Sequence, residues 1–411
     1  MPGNLPEKLY GFFIKNCIFH LPKITTLMPL TIKEITTKGE LREFIFLPEK
    51  IHKNHKNWIP PLYIDEWDFY NPKKNRSFSN CDSVLALAYR DKEVVGRIMG
   101  IISHKYNEVH QNKTARFFNM ECYDEPETAS ALIKYIEDWA VGLGMTKLVG
   151  PLGFSDKDPQ GMLIEGFDQP IVIATNCNHE YMVRLLENNG FSKEVDLVVY
   201  KMLVPKMIPA FYKEIQARTL QRNDIHLIEF TTKKALRPYI KPVFRLINET
   251  YQNIYGFSEI EEGEMDYMAG RYMPVINPRF VKIIASKTGE LVAFVLAMPD
   301  IAEGIRLAKG RLFPTGIIKI VTTSKRTKLL VMLLGAIMDE YRNSGLDALM
   351  GMRIIEEAQA QGMEIIDSHL ILENNVKMRA EYERMGGEVY KRYRIFQKDL
   401  VQSGSAGNIH Q

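Results

Sequence analysis

The stretch Leu329-Leu-Val-Met-Leu-Leu-Gly-Ala-Ile-Met-Asp-Glu-Tyr-Arg-Asn-Ser-Gly-Leu-Asp-Ala-Leu-Met, ending at Met350, decides the fold. Its opening, Leu329–Ile337, is an apolar run of strand length. A polar turn follows, Arg342-Asn-Ser-Gly-Leu-Asp, and helical patterning then runs over Gly345–Gln361 to a stop at Gly362. Gly345 stands where the backbone must approach something closely. A helix N-terminus there presents unpaired N–H groups and the positive end of the dipole, which suits a phosphate. Arg342 adds a side-chain cation.

Outward from this point, one design is written twice. Downstream, Glu364–Leu372 is a strand, Val376–Met385 a helix stopped by Gly386-Gly387, and Val389–Phe396 the last strand. Upstream, Val281–Ala297 is a hairpin turning at Lys287–Gly289. The first half has its own hairpin, Ser83–Gly100, turning at Arg90–Lys92. After it come a strand over Ala115–Cys122, a helix over Glu127–Leu143 and a strand at Leu148-Val-Gly. A helix over Val183–Asn189, stopped by Gly190, and a strand over Val195–Met202 complete it. Gly190 therefore corresponds to Gly386. The boundary falls near Pro205–Asp224, where a helical linker over Ile208–Thr219 gives way to a new strand at Ile225. Residues 1–28 read as an extension outside the fold, with an interfacial anchor as the sharper reading of the apolar run Leu9–Leu21. Residues 401–411 read as a disordered tail.

Composition narrows the class. The chain has 411 residues, 45% of them hydrophobic and 25% charged, which suits a soluble protein of two or three domains. With 53 basic against 50 acidic residues, the total charge carries no nucleic-acid signature. Cys17, Cys81, Cys122 and Cys177 form no CxxC pair, so a reducing compartment is expected and a structural zinc site is not. His52 and His55, three apart among Lys and Asn, read as a solvated loop rather than a metal site. No run of about 18 uncharged apolar residues occurs.

The six residues from Arg342 resemble motif A of the GNAT superfamily of acyl-CoA-dependent acyltransferases, R/Q-x-x-G-x-G/A. Asp347 departs from the pattern at the last position, where its carboxylate can cap the helix and repels a pyrophosphate. Asn375, Tyr382, Glu383 and Gly386 resemble motif B, with Gly387 in place of the usual Phe. The resemblance implies an α/β (α+β) fold of two GNAT-like domains in tandem, with mixed central sheets flanked by helices. It places acyl-CoA on Ile337, Arg342, Asn343, Ser344, Gly345, Leu346, Asp347 and Asn375, and makes Tyr382 the acid that protonates the departing thiolate. By period two, Ile365, Asp367, His369 and Ile371 share a strand face. Asp367, His369 and Glu373 are the candidates for the general base, with a water as the alternative. The first half lacks the glycine. Its turn, Tyr123-Asp-Glu-Pro-Glu, is acidic, and Leu186 stands where the second half has Tyr382. Residues 29–204 are thus a degenerate copy, 205–224 a linker helix and 225–400 the domain with the acyl-CoA site.

Trp58-Ile-Pro-Pro-Leu, Asn71-Pro-Lys-Lys-Asn, Gly150-Pro-Leu-Gly-Phe, Ile164-Glu-Gly-Phe-Asp and Glu373-Asn-Asn resemble paired GNAT domains related to the bacterial ceramide synthases. That resemblance implies transfer of a fatty acyl group to the amine of a sphingoid base. The loops at 58–75 and 150–167 either line a site or fold back on the domain. The window Gly304–Met338 holds seven basic residues and no acid. It suits an anionic membrane surface, steering of CoA phosphates, or a plain solvated loop. The expected protein is a cytoplasmic N-acyltransferase, peripheral on the inner face of the membrane through residues 304–330, with acyl-CoA and a lipid amine as partners and no metal. An acetyltransferase of a small or protein amine and a non-catalytic binding protein are the alternatives.

Overall fold

The computed structural model describes residues 29–222 and 224–400, so the expected extension 1–28 and tail 401–411 lie outside the described residues. Among the described residues, fourteen strands form one sheet. The first half supplies β1 (Leu30–Glu34), β2 (Cys81–Arg90), β3 (Glu93–Ser103), β4 (Thr114–Cys122), β5 (Lys147–Gly150), β6 (Met162–Glu165) and β7 (Ser192–Leu203). The second supplies β8 (Ile225–Glu229), β9 (Val281–Ser286), β10 (Leu291–Pro299), β11 (Leu329–Ile337), β12 (Ile365–Asp367), β13 (Ile371–Leu372) and β14 (Glu388–Asp399). The helices that bear on the site are α1 (Lys38–Ile51), α2 (Pro126–Gly142), α3 (Tyr181–Asn188), α4 (Ala210–Leu220), α5 (Ala302–Ala308), α6 (Gly316–Ser324), α7 (Leu346–Ala360) and α8 (Val376–Arg384).

The strand β3 shows why the sheet is covered on both faces. Its residues from Val94 to Ser103 are all buried, although successive side chains point to opposite sides. Met99 and Ile101 pack with Leu87 against Phe44, Ile45 and Leu47 of α1. Ile98 and Ile102 pack with Ala86 against Leu132, Ile133 and Ile136 of α2. Each such side chain contributes about 1.5–3 kcal/mol on burial. In the second half, Ile284 and Ala293 meet Leu349 and Met350 of α7 in the same way.

The sheet order is β1-β2-β3-β4-β5-β14-β7-β12-β11-β10-β9-β8, with β6 beside β14 and β13 beside β7. The two last strands are therefore exchanged. β14, from the C-terminal end, closes the first half on β5, while β7 closes the second half on β12. The exchanged strands pair with each other antiparallel, and Arg394 lies opposite Asp196. The Arg394 guanidinium holds that buried carboxylate with Nε at 2.8 Å and Nη2 at 3.1 Å. The paired glycine stops are both real, since Gly190 and Gly386 have φ of +82° and +78° just past α3 and α8.

One expected strand breaks. Glu364–Leu372 is two short strands, Ile365–Asp367 and Ile371–Leu372. The Asp367 carboxylate accepts from the His369 N–H at 2.6 Å, and His369 takes a left-handed φ of +56°. Asp367 captures a backbone donor from two residues on, so the ladder cannot continue. Asp367 and His369 consequently do not share a strand face.

Candidate active site

β11 and β12 run parallel and pair only from Leu329–Val331 to Ile365–Asp367. β11 then continues to Ile337 against β10 alone, with Leu333 bulged out between Met332 and Leu334. β12 stops at Asp367. The result is a wedge whose outer β11 edge includes the exposed residues Leu334 and Gly335. Among the described residues, no backbone hydrogen bond from the loop after β12 reaches β11 beyond Val331. The first half opens the same wedge between β4 and β5 and then plugs it. Leu152 N donates to Phe117 O at 3.0 Å, and buried Arg116 Nη1 donates to the carbonyls of Gly153 and Phe154 at 3.0 and 2.9 Å. A Cβ on Gly150 would lie 2.3 Å from Phe117 O, so only glycine lets that loop fold in. The Gly150–Phe154 motif therefore folds back over its own half, with Leu152 also packing against Gly256 and Tyr255 of the second.

The N-terminus of α7 stands beside the open wedge. Gly345 has φ of +85°, and a Cβ there would meet Thr219 Oγ1 of α4 at 2.8 Å. The glycine is thus required by its conformation and by the linker helix packed against it. Three cations surround this turn. Arg342 is half-exposed and pairs with Asp339 at 2.8 Å. Arg222 Nη1 donates to Ser344 O at 3.3 Å, and Lys377 Nζ donates to Asn343 Oδ1 at 3.2 Å. Lys377 belongs to α8, which also carries Tyr382. One side chain therefore fastens the helix of the proposed acid to the turn at the head of α7. Leu346 is fully buried, so at that position the turn offers its backbone only. Asp347 accepts from Ala348 N at 2.9 Å.

Tyr382 stacks on Tyr200 with ring centroids 5.6 Å apart and planes inclined by 16°. Its hydroxyl makes no hydrogen bond among the described residues. Burial and the nearby Asp367 carboxylate push its pKa above the ordinary phenol value, so it keeps its proton. Asp367 is fully buried between the Tyr390 hydroxyl, which donates to it, the His369 N–H and Lys391 Nζ at 3.6 Å. Lys391 donates to Pro170 O at 3.1 Å and is pulled below its ordinary pKa by burial, against the opposing pull of Asp367. The His369 Nε2 meets Ile173 O at 3.2 Å, and burial lowers its pKa despite Asp367. Asp300, at the end of β10, joins this cluster. Burial first, and then the charge of Asp367, push its carboxyl up to about 6.

No family model matches the chain. A tandem GNAT protein from the clavulanic acid biosynthesis pathway matches it with a TM-score of 0.53 at 12% identity, covering 91% of this chain and 100% of that one. The chain has a tandem GNAT fold. The glucosamine N-acetyltransferase region of a fungal multi-domain β-N-acetylglucosaminidase shares that fold, with a TM-score of 0.51 at 9% identity over 90% of this chain and 38% of that one. In sequence, the chain is 27% identical over 390 residues to the bacterial ceramide synthase of Caulobacter vibrioides, covering 92% of this chain and 100% of that protein. It is also 27% identical over 389 residues to protein YghO of Escherichia coli, covering 90% of this chain and 95% of that protein.

Within the tandem GNAT fold, the predicted residues fall into two groups. Arg342, Asn343, Ser344, Gly345, Leu346 and Asp347 form the α7 turn, with Ile337 at the end of the strand leading to it. Asn375 caps α8 by accepting from Met378 N at 3.3 Å. Glu373 stands apart from the other acids. It pairs with Lys193 at 2.7 Å and accepts from Asp196 N at 3.1 Å, about 13 Å along β7 from Tyr200. Burial works against its charge, but Lys193 outweighs it and holds the carboxyl below its usual range. Asp300, Lys391, Tyr390, Tyr200, Arg222 and Lys377 went unnoticed in sequence, because none occupies a fixed motif position and five separate strands and helices bring them in. His52 and His55 are not a solvated loop. His52 is 2% exposed, and its ring lies parallel to that of Trp58 at 5.2 Å between centroids.

Proposed function

We propose that this protein is an acyl-CoA-dependent N-acyltransferase that moves a fatty acyl group from the thioester to the amine of a long-chain base. The observation that carries the reading is the contrast between the two wedges. One is plugged by its own loop; the other is open, with three cations at its head and a tyrosine hydroxyl without a protein partner beside it. The 27% identity to a bacterial ceramide synthase supports the long-chain acceptor. Residues 29–204 then shape the acceptor side, and 225–400 hold the donor.

In this reading the pyrophosphate sits on the backbone N–H groups of Gly345 to Asp347, with Arg342, Arg222 and Lys377 around it. The thioester lies in the wedge, where the bulge at Leu333 frees backbone N–H groups to polarise its carbonyl. The long-chain ammonium gives one proton to the acid cluster, where Asp300 is raised to about 6, the neutral amine attacks that carbonyl, and its second proton returns to the Tyr382 oxygen once that hydroxyl has protonated the sulfur. Tyr382 protonates the sulfur as the C–S bond breaks. An acyl-lipid product suits the surface of α5–α6. Phe313, Ile317, Ile318 and Val321 are exposed there, and Lys309, Lys319, Lys325 and Arg326 have no acidic partner among the described residues. Among the described residues, no helix is long and apolar enough to cross a membrane. A peripheral contact is therefore the reading, at about 1 kcal/mol per basic side chain near an anionic surface.

Incubation with acetyl-, octanoyl- and palmitoyl-CoA together with sphinganine, followed by mass spectrometry, tests the proposal. A long-chain amide of sphinganine is the expected product. Acylation of small amines by acetyl-CoA alone would move the protein to the acetyltransferase reading. Absence of heat with millimolar CoA in calorimetry would make it a binding protein.

A further inference from the structure

Behind the acid cluster, two segments of the first half bring nitrogen and sulfur ligands together. His52 is the residue that ends α1, and His55 lies in the turn after it, its N–H bonded to His52 O at 2.9 Å. His179 precedes α3, and Cys177 stands two residues earlier. One ring nitrogen from each of the three histidines lies within 4.8 Å of the others. His52 Nδ1 and His55 Nδ1 face each other at 3.0 Å, and Cys177 Sγ is 3.8 Å from the same His55 Nδ1. Tetrahedral zinc, with bonds of about 2.0–2.1 Å to nitrogen and 2.3 Å to sulfur, sets neighbouring ligand atoms roughly 3.3–3.6 Å apart. The observed separations straddle that span.

The outward nitrogens are placed as ligating histidines require. His52 Nε2 lies 3.3 Å from Glu121 Oε2, and His179 Nε2 lies 3.3 Å from Ile51 O. A proton held on His179 Nε2 by that carbonyl leaves its Nδ1 lone pair free to ligate, the usual outer arrangement of a metal-bound imidazole. Neither His52 Nε2 nor Glu121 Oε2, both buried, completes a good hydrogen bond inside the protein. Arg97 neutralises Glu121 from the other side at 3.0 Å.

We infer that His52, His55, His179 and Cys177 form a structural zinc site that ties α1 to the loop before α3. His3Cys ligation with no open position suits Zn²⁺ better than the harder cations. The balance is simple. Without metal, one Nδ1 proton bridges His52 and His55, and Cys177 carries its thiol proton. Zinc takes both places: the bridging proton moves to Nε2 of the same ring, and only the thiol proton leaves to solvent. The same loop supplies Ile173 O to His369 and Pro170 O to Lys391, so the metal would steady the acid cluster from behind.

The test measures zinc in the full chain after growth in zinc-supplemented medium and desalting. About one zinc per chain is expected, falling at least tenfold in His55→Ala, a half-buried position chosen to spare the core. The apo protein, made with a chelator, should show tetrahedral d–d bands on titration with Co²⁺, together with a thiolate-to-cobalt charge-transfer band. Cys177→Ser should lose that charge-transfer band while its circular dichroism stays native. Equal zinc in wild type and His55→Ala would overturn the site, as would a folded apo protein that gives no tetrahedral cobalt spectrum. A cobalt spectrum unchanged in Cys177→Ser would remove the cysteine and leave three histidines.

Discussion

Replacing Tyr382 by Phe removes one oxygen from a place where nothing among the described residues bonds to it. The ring keeps its face against Tyr200, and the apolar surroundings of Met202 and Ile366 are unchanged. No protein hydrogen bond of about 1 kcal/mol is forfeited, so the fold should shift by less than about 0.5 kcal/mol. The reaction loses its acid. A positioned general acid contributes about 10²–10⁴ in rate, equivalent to about 2.7–5.4 kcal/mol of barrier. Because burial and Asp367 keep the phenol protonated, the loss should be the same from pH 6 to pH 9. The assay follows CoA thiol release with a thiol reagent, beside a thermal melt of the same preparation. Full turnover in Tyr382→Phe refutes the acid role. Lost turnover accompanied by a melting point several degrees lower refutes it too, because the ring would then be a packing element.

Three further outcomes are expected. With Asp300 as base at about 6, kcat/KM should fall tenfold per pH unit below that value, and Asp300→Asn should abolish both activity and the break. Its folded pKa is raised, so its stabilising contribution is present below the ordinary value near 4 and lost as pH rises through 6; Asp300→Asn should therefore melt higher than wild type at pH 7. Gly345→Ala combines a left-handed φ with a 2.8 Å approach to Thr219 Oγ1, and should cost about 1–2 kcal/mol in denaturant melts and weaken CoA binding in calorimetry. Lys377→Ala and Arg222→Ala should each weaken CoA by about fivefold, or 1 kcal/mol, and calorimetry at two ionic strengths should show a shallower salt dependence than wild type.

Much of this was legible in the sequence because the pattern is local. Leu329–Ile337, its turn and α7 are readable from periodicity and one glycine, and Gly190 and Gly386 mark equivalent helix ends. Periodicity failed where a side chain competes with the ladder. Asp367 turns the chain at His369, and alternation carries no trace of that capture. It failed again at His52, whose Lys- and Asn-rich neighbours suggest solvent while Trp58 and His179 cover the ring. The pairing of β14 with β5 is equally invisible. A strand's face pattern is the same whichever sheet edge it meets, so only the tertiary arrangement distinguishes its own half from the other.

That exchange of last strands has a consequence for synthesis. When β5 leaves the ribosome, the edge it must present to β14 stays bare until the chain is nearly finished. At about 5–20 residues per second the wait is on the order of tens of seconds. During that interval β5 and β7 are open templates for any extended segment nearby, including β14 of a neighbouring nascent chain on the same message. Capture of that kind would build the same sheet between two polypeptides. The speed of translation and the spacing of ribosomes would then set the yield of monomer as much as the stability of the finished protein does.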